Sequence, residues 1–338
     1  MQKLDYCVVD VFTGQALKGN PLAVVMNPGG LTAELMQSIA REFNLSETSF
    51  IERRAGAVEQ AEGVRVRIFT TQEELNFAGH PTLGTASVLK LEAPETVEGD
   101  TVRLQLNVGT VPVRFPAEGL FGGTGSPQGA SGGAPGASDS LFGEMTQRDP
   151  EFGAELDPAE VARLTGLAVE DLDPALRPQI VSTGTAFAIV VLRSHQALAR
   201  LRVRELEAAS WLKERGARWF YVLGPTSKCD GEPDYRARMQ FYGGEDPATG
   251  SAAGCAISYL VQRGAVRPGE RVQVRQGVEI GRASDLYLSA GLEDRPADGP
   301  NDPAQVQNGP ARGKMARVSQ VRVGGSTVFV AKGQLFLP

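Results

Sequence analysis

The stretch His80-Pro81-Thr82-Leu83-Gly84-Thr85-Ala86 aligns without gaps on Asp246-Pro247-Ala248-Thr249-Gly250-Ser251-Ala252. Proline, glycine, a hydroxyl residue and alanine recur in the same order. Proline followed by small, mostly apolar residues reads as a helix start, so a helix is expected near Pro81 and another near Pro247. Such helices have no polar face and must be buried on all sides.

The surroundings of the two copies also repeat. Before the first come apolar strands at 6–12 and 21–26, joined by the turn Thr13-Gly14-Gln15. Next comes a helix that Thr32 can cap, with Leu35, Met36, Ile39, Ala40 and Phe43 at helical spacing and Asn44 as its stop. Alternating strands at 64–68 and 102–106 flank the first small-residue helix. Before the second copy come strands at 180–184 and 187–192, an Arg- and Glu-rich helix through Trp211, and strands at 219–223 and 235–242. Each half thus has many strands and one central apolar helix. A sheet wrapped round that helix buries both, and the alternating patterns favour mostly antiparallel pairing. The expected fold class is α+β, with two pseudo-symmetric lobes, each a curled sheet around a central helix.

Two segments break the plan. Residues 119–140, rich in Gly, Ser, Pro and Ala, bury too little apolar area to order themselves and read as a flexible linker. Residues 293–313 carry Asp, Pro, Gly and Asn and read as a surface loop. Beyond it, 318–323 and 327–330 read as a hairpin about Gly324-Gly325. The resulting division is an N-terminal lobe at 1–118, the linker at 119–140, and a C-terminal lobe at 141–326. The final strand, 327–338, is a candidate to join the first lobe.

The chain has 338 residues, enough for a large core, and a net charge of −6 with no long block of like charge. That argues against a nucleic-acid footprint or a polybasic membrane patch. No apolar run approaches the roughly 18 residues of a membrane span. The opening MQKLDYCVVDVF lacks the features of a signal peptide. Cys7, Cys229 and Cys255 are odd in number and widely spaced, giving neither a disulfide framework nor a zinc motif. The expected setting is the reducing cytoplasm, and the expected partner a small anionic metabolite.

Three signals concentrate acid–base chemistry. Asn44-Leu-Ser-Glu-Thr-Ser-Phe50 places Glu47 just after a helix and at the mouth of a strand. Judged alone this is a solvated carboxylate, but Leu45, Phe50 and Ile51 point to partial burial, which would raise its pKa into a useful range. Gly79-His80-Pro81 puts one of two histidines at a helix start, where catalysis competes with simple packing. His195, at the head of a polar helix, reads as a capping or surface residue. Third, Gly243-Gly-Glu-Asp-Pro-Ala-Thr-Gly-Ser-Ala-Ala-Gly254 offers free backbone N–H groups and the Ser251 hydroxyl at a helix end, suited to a carboxylate. It lacks the lysine of a nucleotide-binding loop. The competing reading is that its glycines only permit tight packing. No cysteine occupies either helix start, and Cys255 reads as core, so a two-thiol racemase is not indicated.

The blocks NLSETSF, ELNFAGHPTLGTA, GGEDPATGSAAG and QGVEIGRAS, in that order, resemble the phenazine-biosynthesis (PhzF-like) family. The opening DVFTGQALKGNPLAVV and the closing VRVGGSTVFVAKGQL match its pattern too. The resemblance implies the diaminopimelate-epimerase-like fold, commonly in a homodimer, and no cofactor or metal. It places the catalytic glutamate on Glu47, with His80 and Asp246 as its partners. Ser46, Gly79, Gly250 and Ser251 fall on positions that line or bind the substrate. In the phenazine-pathway member, the glutamate isomerises trans-2,3-dihydro-3-hydroxyanthranilate by taking a proton from one carbon and returning one to another. The two interrupting segments are longer than the family leads one to expect, which leaves the substrate open.

Three functions therefore compete: a proton-moving isomerase of a small carboxylate, an amino-acid racemase or epimerase with Glu47 and Asp246 as opposed bases, and a non-catalytic small-molecule binder. Intact Glu47, His80 and Asp246 argue against the last. Metal hydrolysis finds no ligand spacing to support it.

Overall fold

Two helices of small residues organise the structure, a computed structural model that describes residues 2–116, 140–227, 229, 231–295 and 315–337. In the helix Gly79–Glu92, every residue from Gly79 to Leu89 is buried. In the helix Gly250–Gln262, every residue from Gly250 to Val261 is buried. A helix without a polar face finds its partners on all sides. The first packs against strands Gln2–Val11, Asn20–Met26, Glu47–Glu52, Thr101–Leu106, Gly109–Arg114 and Leu141–Thr146. The second packs against Gln179–Ser182, Ala186–Val191, Ser284–Arg295 and Met315–Leu337.

Apart from the short pair Gln240–Phe241 and Gly244–Glu245, the described strands form one connected, largely antiparallel sheet, and its parallel pairs recur in matching order. In the first half Asn20–Met26 runs parallel to Glu47–Glu52, and Val64–Phe69 to Thr101–Leu106. In the second half Ala186–Val191 runs parallel to Trp219–Pro225, and Tyr235–Arg238 to Val272–Gln276. Each first pair encloses an amphipathic helix, and each second pair encloses one of the buried helices. Such crossovers are what parallel neighbours require.

The amphipathic helix of the first half forms as its spacing predicts. Ala33–Phe43 buries Met36, Ile39 and Ala40, the Thr32 hydroxyl accepts from Leu35 N at 3.3 Å, and Asn44 ends it in the left-handed region at φ 50°. That stop turns the chain directly into the strand that begins at Glu47.

Four expectations need correction. The hairpin about Gly324-Gly325 does not form, because Met315–Leu337 is one continuous strand. Its first part pairs with Ser284–Arg295 and its last part with Gln2–Val11, so it ties the two ends of the chain together. The glycines serve close approach instead of a turn: a Cβ on Gly325 would lie 2.4 Å from Phe12 Cδ1. The two buried helices also start out of step with the sequence alignment. The first begins at Gly79, one residue before His80, whereas the second begins at Gly250, four residues after Asp246. Asp246-Pro247 therefore belongs to the turn that leads into its helix. The strand read at 235–242 stops at Arg238, and Gln240–Phe241 pairs separately with Gly244–Glu245. Finally, Glu293 to Arg295 continue a strand, opposite 317 to 315, so the loop read at 293–313 starts later. The rest of that loop, and all of 119–140 except Ser140, lie outside the described residues.

Candidate active site

The starts of the two buried helices meet end to end. A Cβ on Gly79 would lie 2.5 Å from Ser251 N and 2.6 Å from Gly250 Cα, so the backbones touch where only glycine fits. Free N–H groups from both helices, and the positive ends of both dipoles, are thereby brought into one place. Ser251 is buried there, and Ser46 is half-buried nearby.

Around this junction stand the three titratable groups singled out in the sequence. Glu47, the first residue of its strand, is only 7% exposed, and its Oε2 lies 3.5 Å from Nε2 of His80, itself 3% exposed. Neither atom has a hydrogen-bond partner. Burial, with the charge of Asp246 added, pushes the Glu47 carboxyl well above the ordinary glutamate range. Burial pushes His80 down to about 3, so its ring is neutral.

Asp246 is more thoroughly held. Its Oδ1 accepts from Asn20 Nδ2 at 2.7 Å and its Oδ2 from the Thr249 hydroxyl at 2.6 Å. Burial raises it to about 6; Thr249, Asn20 and Ser46 work the other way by favouring the ionised form. The turn carrying it is pinned by the buried Gln276, whose Nε2 donates to Asp246 O at 2.8 Å and whose Oε1 accepts from Thr249 N at 3.1 Å. Glu245, just before it in the chain, forms a two-pronged ion pair with the buried Arg238 guanidinium.

The structure thus brings Ser46, Glu47, Gly79, His80, Asp246, Gly250 and Ser251 to one junction. His195 stands apart, as its sequence indicates, with Nδ1 3.2 Å from Pro225 O. Cys255 is fully buried, with its thiol pushed up to about 11 by desolvation, and it sits in the core as expected. Asn20, Thr249, Gln276 and Tyr221 were not singled out from the sequence. Tyr221 is fully buried with an unpartnered hydroxyl, which the charge of Asp246 pushes further above the usual tyrosine range, after burial itself. A polar Asn20 heading the apolar run PLAVVM was the one visible signal among these. Among the described residues no group of three His, Cys, Asp or Glu side chains is placed to hold a metal ion. No described helix is long and apolar enough to cross a membrane.

A buried carboxyl with a raised pKa, a neutral imidazole and two helix ends can hold an anion and move a proton beside it. Comparison with known proteins places the chain among isomerases. The phenazine biosynthesis-like family model matches residues 9–303. The chain is 32% identical to an uncharacterised isomerase of Mesorhizobium japonicum over 100% of both proteins. It is also 32% identical to the trans-2,3-dihydro-3-hydroxyanthranilate isomerase of Pseudomonas aeruginosa, covering 98% of this chain and 99% of that one. Among solved structures it resembles a predicted epimerase of Pseudomonas aeruginosa, with TM-score 0.71, 29% identity and coverage of 99% and 100%. A probable proline racemase from Agrobacterium radiobacter shares the fold, with TM-score 0.58 at 13% identity, covering 99% of this chain and 93% of that one. The chain belongs to the phenazine biosynthesis-like family; it is an isomerase, with the epimerase-like fold.

Proposed function

We propose that the chain isomerises a small carboxylic-acid metabolite without a cofactor, using Glu47 to move a proton by general acid–base catalysis. The observation that carries this reading is the pair of buried, unpartnered atoms Glu47 Oε2 and His80 Nε2, facing each other over 3.5 Å beside two helix starts. Buried polar atoms without partners are expensive, and a bound substrate would supply the missing hydrogen bonds.

On this reading the substrate carboxylate sits at the helix ends near Gly250 and Ser251, with Gly79 and Ser46 lining the same space. Glu47 takes a proton from one carbon and returns it to another, so no electrons are exchanged and no group leaves. The substrate resembles trans-2,3-dihydro-3-hydroxyanthranilate in being a small acid with an acidic C–H. His80 and Asp246 hydrogen-bond its polar groups and stabilise the charge that develops.

The same reading makes the two buried helices the centres of pseudo-symmetric lobes, divided near 1–118 and 141–326 with the final strand 327–338 returning to the first. The matched parallel pairs and the abutting helix starts support it. A cytoplasmic homodimer completes the proposal, and the three free cysteines accord with a reducing compartment.

The test is a screen of carboxylate metabolites for deuterium uptake from heavy water, run with the native chain and with Glu47→Gln. Native exchange that drops by roughly two to four orders of magnitude in the variant supports the proposal. A Glu47→Gln chain that exchanges at the native rate would sink it.

A further inference from the structure

We infer that Asn20 is a positioning residue that fixes the tautomer of His80 and couples it to Asp246. Asn20 is fully buried at the start of the strand Asn20–Met26. Its Nδ2 lies 2.7 Å from Asp246 Oδ1, 2.9 Å from Ala248 O and 3.1 Å from His80 Nδ1. A carboxylate oxygen and a backbone carbonyl can only accept, so the amide end that meets them is the NH₂ group. The same NH₂ faces His80 Nδ1. A proton on Nδ1 would set donor against donor, so the ring carries its proton on Nε2 and presents a lone pair to Asn20.

The consequence lies on the other side of the ring. The Nε2–H points to Glu47, whose Oε2 is 3.5 Å away. His80 is thereby a fixed hydrogen-bond donor to whatever occupies the space beside Glu47, and it cannot act as a base there. Protonating the ring would force a hydrogen against the Asn20 amide, which works in the same direction as burial in keeping His80 neutral. One residue from the first half of the chain thus sets the state of the histidine and neutralises part of the cost of burying a carboxylate from the second half. The catalytic consequence rests on the proposed role of Glu47; the tautomer does not.

Nitrogen NMR of the full chain separates the two. There are two histidines in the sequence. His195 Nδ1 faces the carbonyl of Pro225, so it must donate, and His195 therefore serves as an internal reference of the opposite tautomer. Long-range proton–nitrogen spectra of labelled protein at pH 7, assigned with His195→Gln, should show His80 protonated at Nε2 and bare at Nδ1. Asn20→Leu removes the donor and adds no second carboxyl beside Asp246. It should release His80 from a single tautomer, so that a proton appears on Nδ1 in part of the population, and lower turnover on the order of 100-fold, with a far smaller change in KM. A native His80 protonated at Nδ1 overturns the inference, as does an Asn20→Leu spectrum in which the His80 tautomer is unchanged. If Asn20→Leu does not fold, the native spectrum alone decides. Should Glu47→Gln keep full activity while the His80 tautomer is as stated, the proposed function fails and the role of Asn20 in setting the tautomer stands.

Discussion

Gly79 and Gly250 place the first turns of two buried helices in backbone contact: a Cβ on Gly79 would lie 2.6 Å from Cα of Gly250. Two positive helix ends repel each other in an apolar interior. The arrangement is favourable when an anion lies between them, which is why the junction reads as a carboxylate site.

Gly79→Ala should therefore cost both stability and binding. The added methyl group meets backbone, which cannot swing aside as a flexible side chain can. Denaturant unfolding should show a loss of about 1–3 kcal/mol, the usual cost of overpacking. Any substrate analogue bound through its carboxylate should lose affinity in parallel. An unchanged midpoint would mean that the helix ends are further apart than the contact implies.

Asp246→Asn should stabilise the protein at neutral pH and not at pH 4. An aspartate titrates near 3.8 when unfolded, and burial lifts Asp246 to about 6. Between those values the folded chain holds a proton that the unfolded chain has released, so this residue makes stability fall as pH rises from about 4 to about 6. His80 works the other way. Its folded value is about 3 against 6.5, so its contribution is lost as pH falls from 6.5 toward 3. Replacing Asp246 by the neutral amide removes the first effect, leaves that of His80 in place, and also relieves Glu47 of an opposing charge. The gain at pH 7 from the Asp246 shift itself should be about 3 kcal/mol, less whatever the hydrogen bonds of Asn20 and Thr249 give up. Thermal melts at pH 4 and pH 7 check it; a variant no more stable than the native chain at pH 7 contradicts the reading.

Glu245→Gln should be strongly destabilising although it touches no substrate. Glu245 and Arg238 are each about as buried as core residues, and Arg238 also donates to Leu198 O at 2.6 Å. Removing one charge leaves the other buried and unpaired, at a cost of about 3–5 kcal/mol. The strand pair Gln240–Phe241 and Gly244–Glu245 precedes Asp246 directly, so the loss should loosen the turn that presents Asp246. A urea midpoint within error of native would show that the pair is solvated in solution.

The sequence made the two buried helices legible because they are small-residue runs with no polar face, a pattern that admits one burial solution. Glu47 was legible only in part: judged alone it reads as a solvated carboxylate, and it was its apolar neighbours Leu45, Phe50 and Ile51 that pointed to the burial the structure gives it. The hairpin about Gly324-Gly325 was misread because glycine pairs signal turns locally, whereas these two make room for Phe12 and Gly143, contacts set by tertiary structure. The helix register was misread for the same kind of reason. Proline can sit inside the first turn, as Pro81 does, or ahead of it, as Pro247 does, and local sequence does not separate the two. Asn20 and Gln276 escaped notice because their partners lie far along the chain, 226 residues away for Asn20 and Asp246 and 27 for Gln276 and Thr249, whereas Thr249 reads locally as one more small residue before a helix.

The pH profile of Glu47 tests the electrostatics of the site most directly. Two buried carboxyls raise each other, because the charge on one opposes ionisation of the other. Glu47 is raised first by burial and then by Asp246, so its ionised form, the base of the proposed mechanism, appears only above the ordinary glutamate range. The limb of kcat/KM that rises with pH should follow this ionisation. His80 does not contribute to it, being neutral from about 3 upward. In Asp246→Asn the opposing charge is gone and Glu47 ionises more easily, so the limb must move to lower pH even as the maximum rate falls. Its apparent midpoint in the native enzyme belongs to the coupled pair, whereas in the variant it belongs to Glu47 alone. Carbon NMR of the Glu47 carboxyl in the substrate-free chain measures the same displacement without relying on turnover. A midpoint that stays in place, or moves upward, would show that Asp246 and Glu47 do not share one field. In that case the raised Glu47 pKa would rest on burial alone.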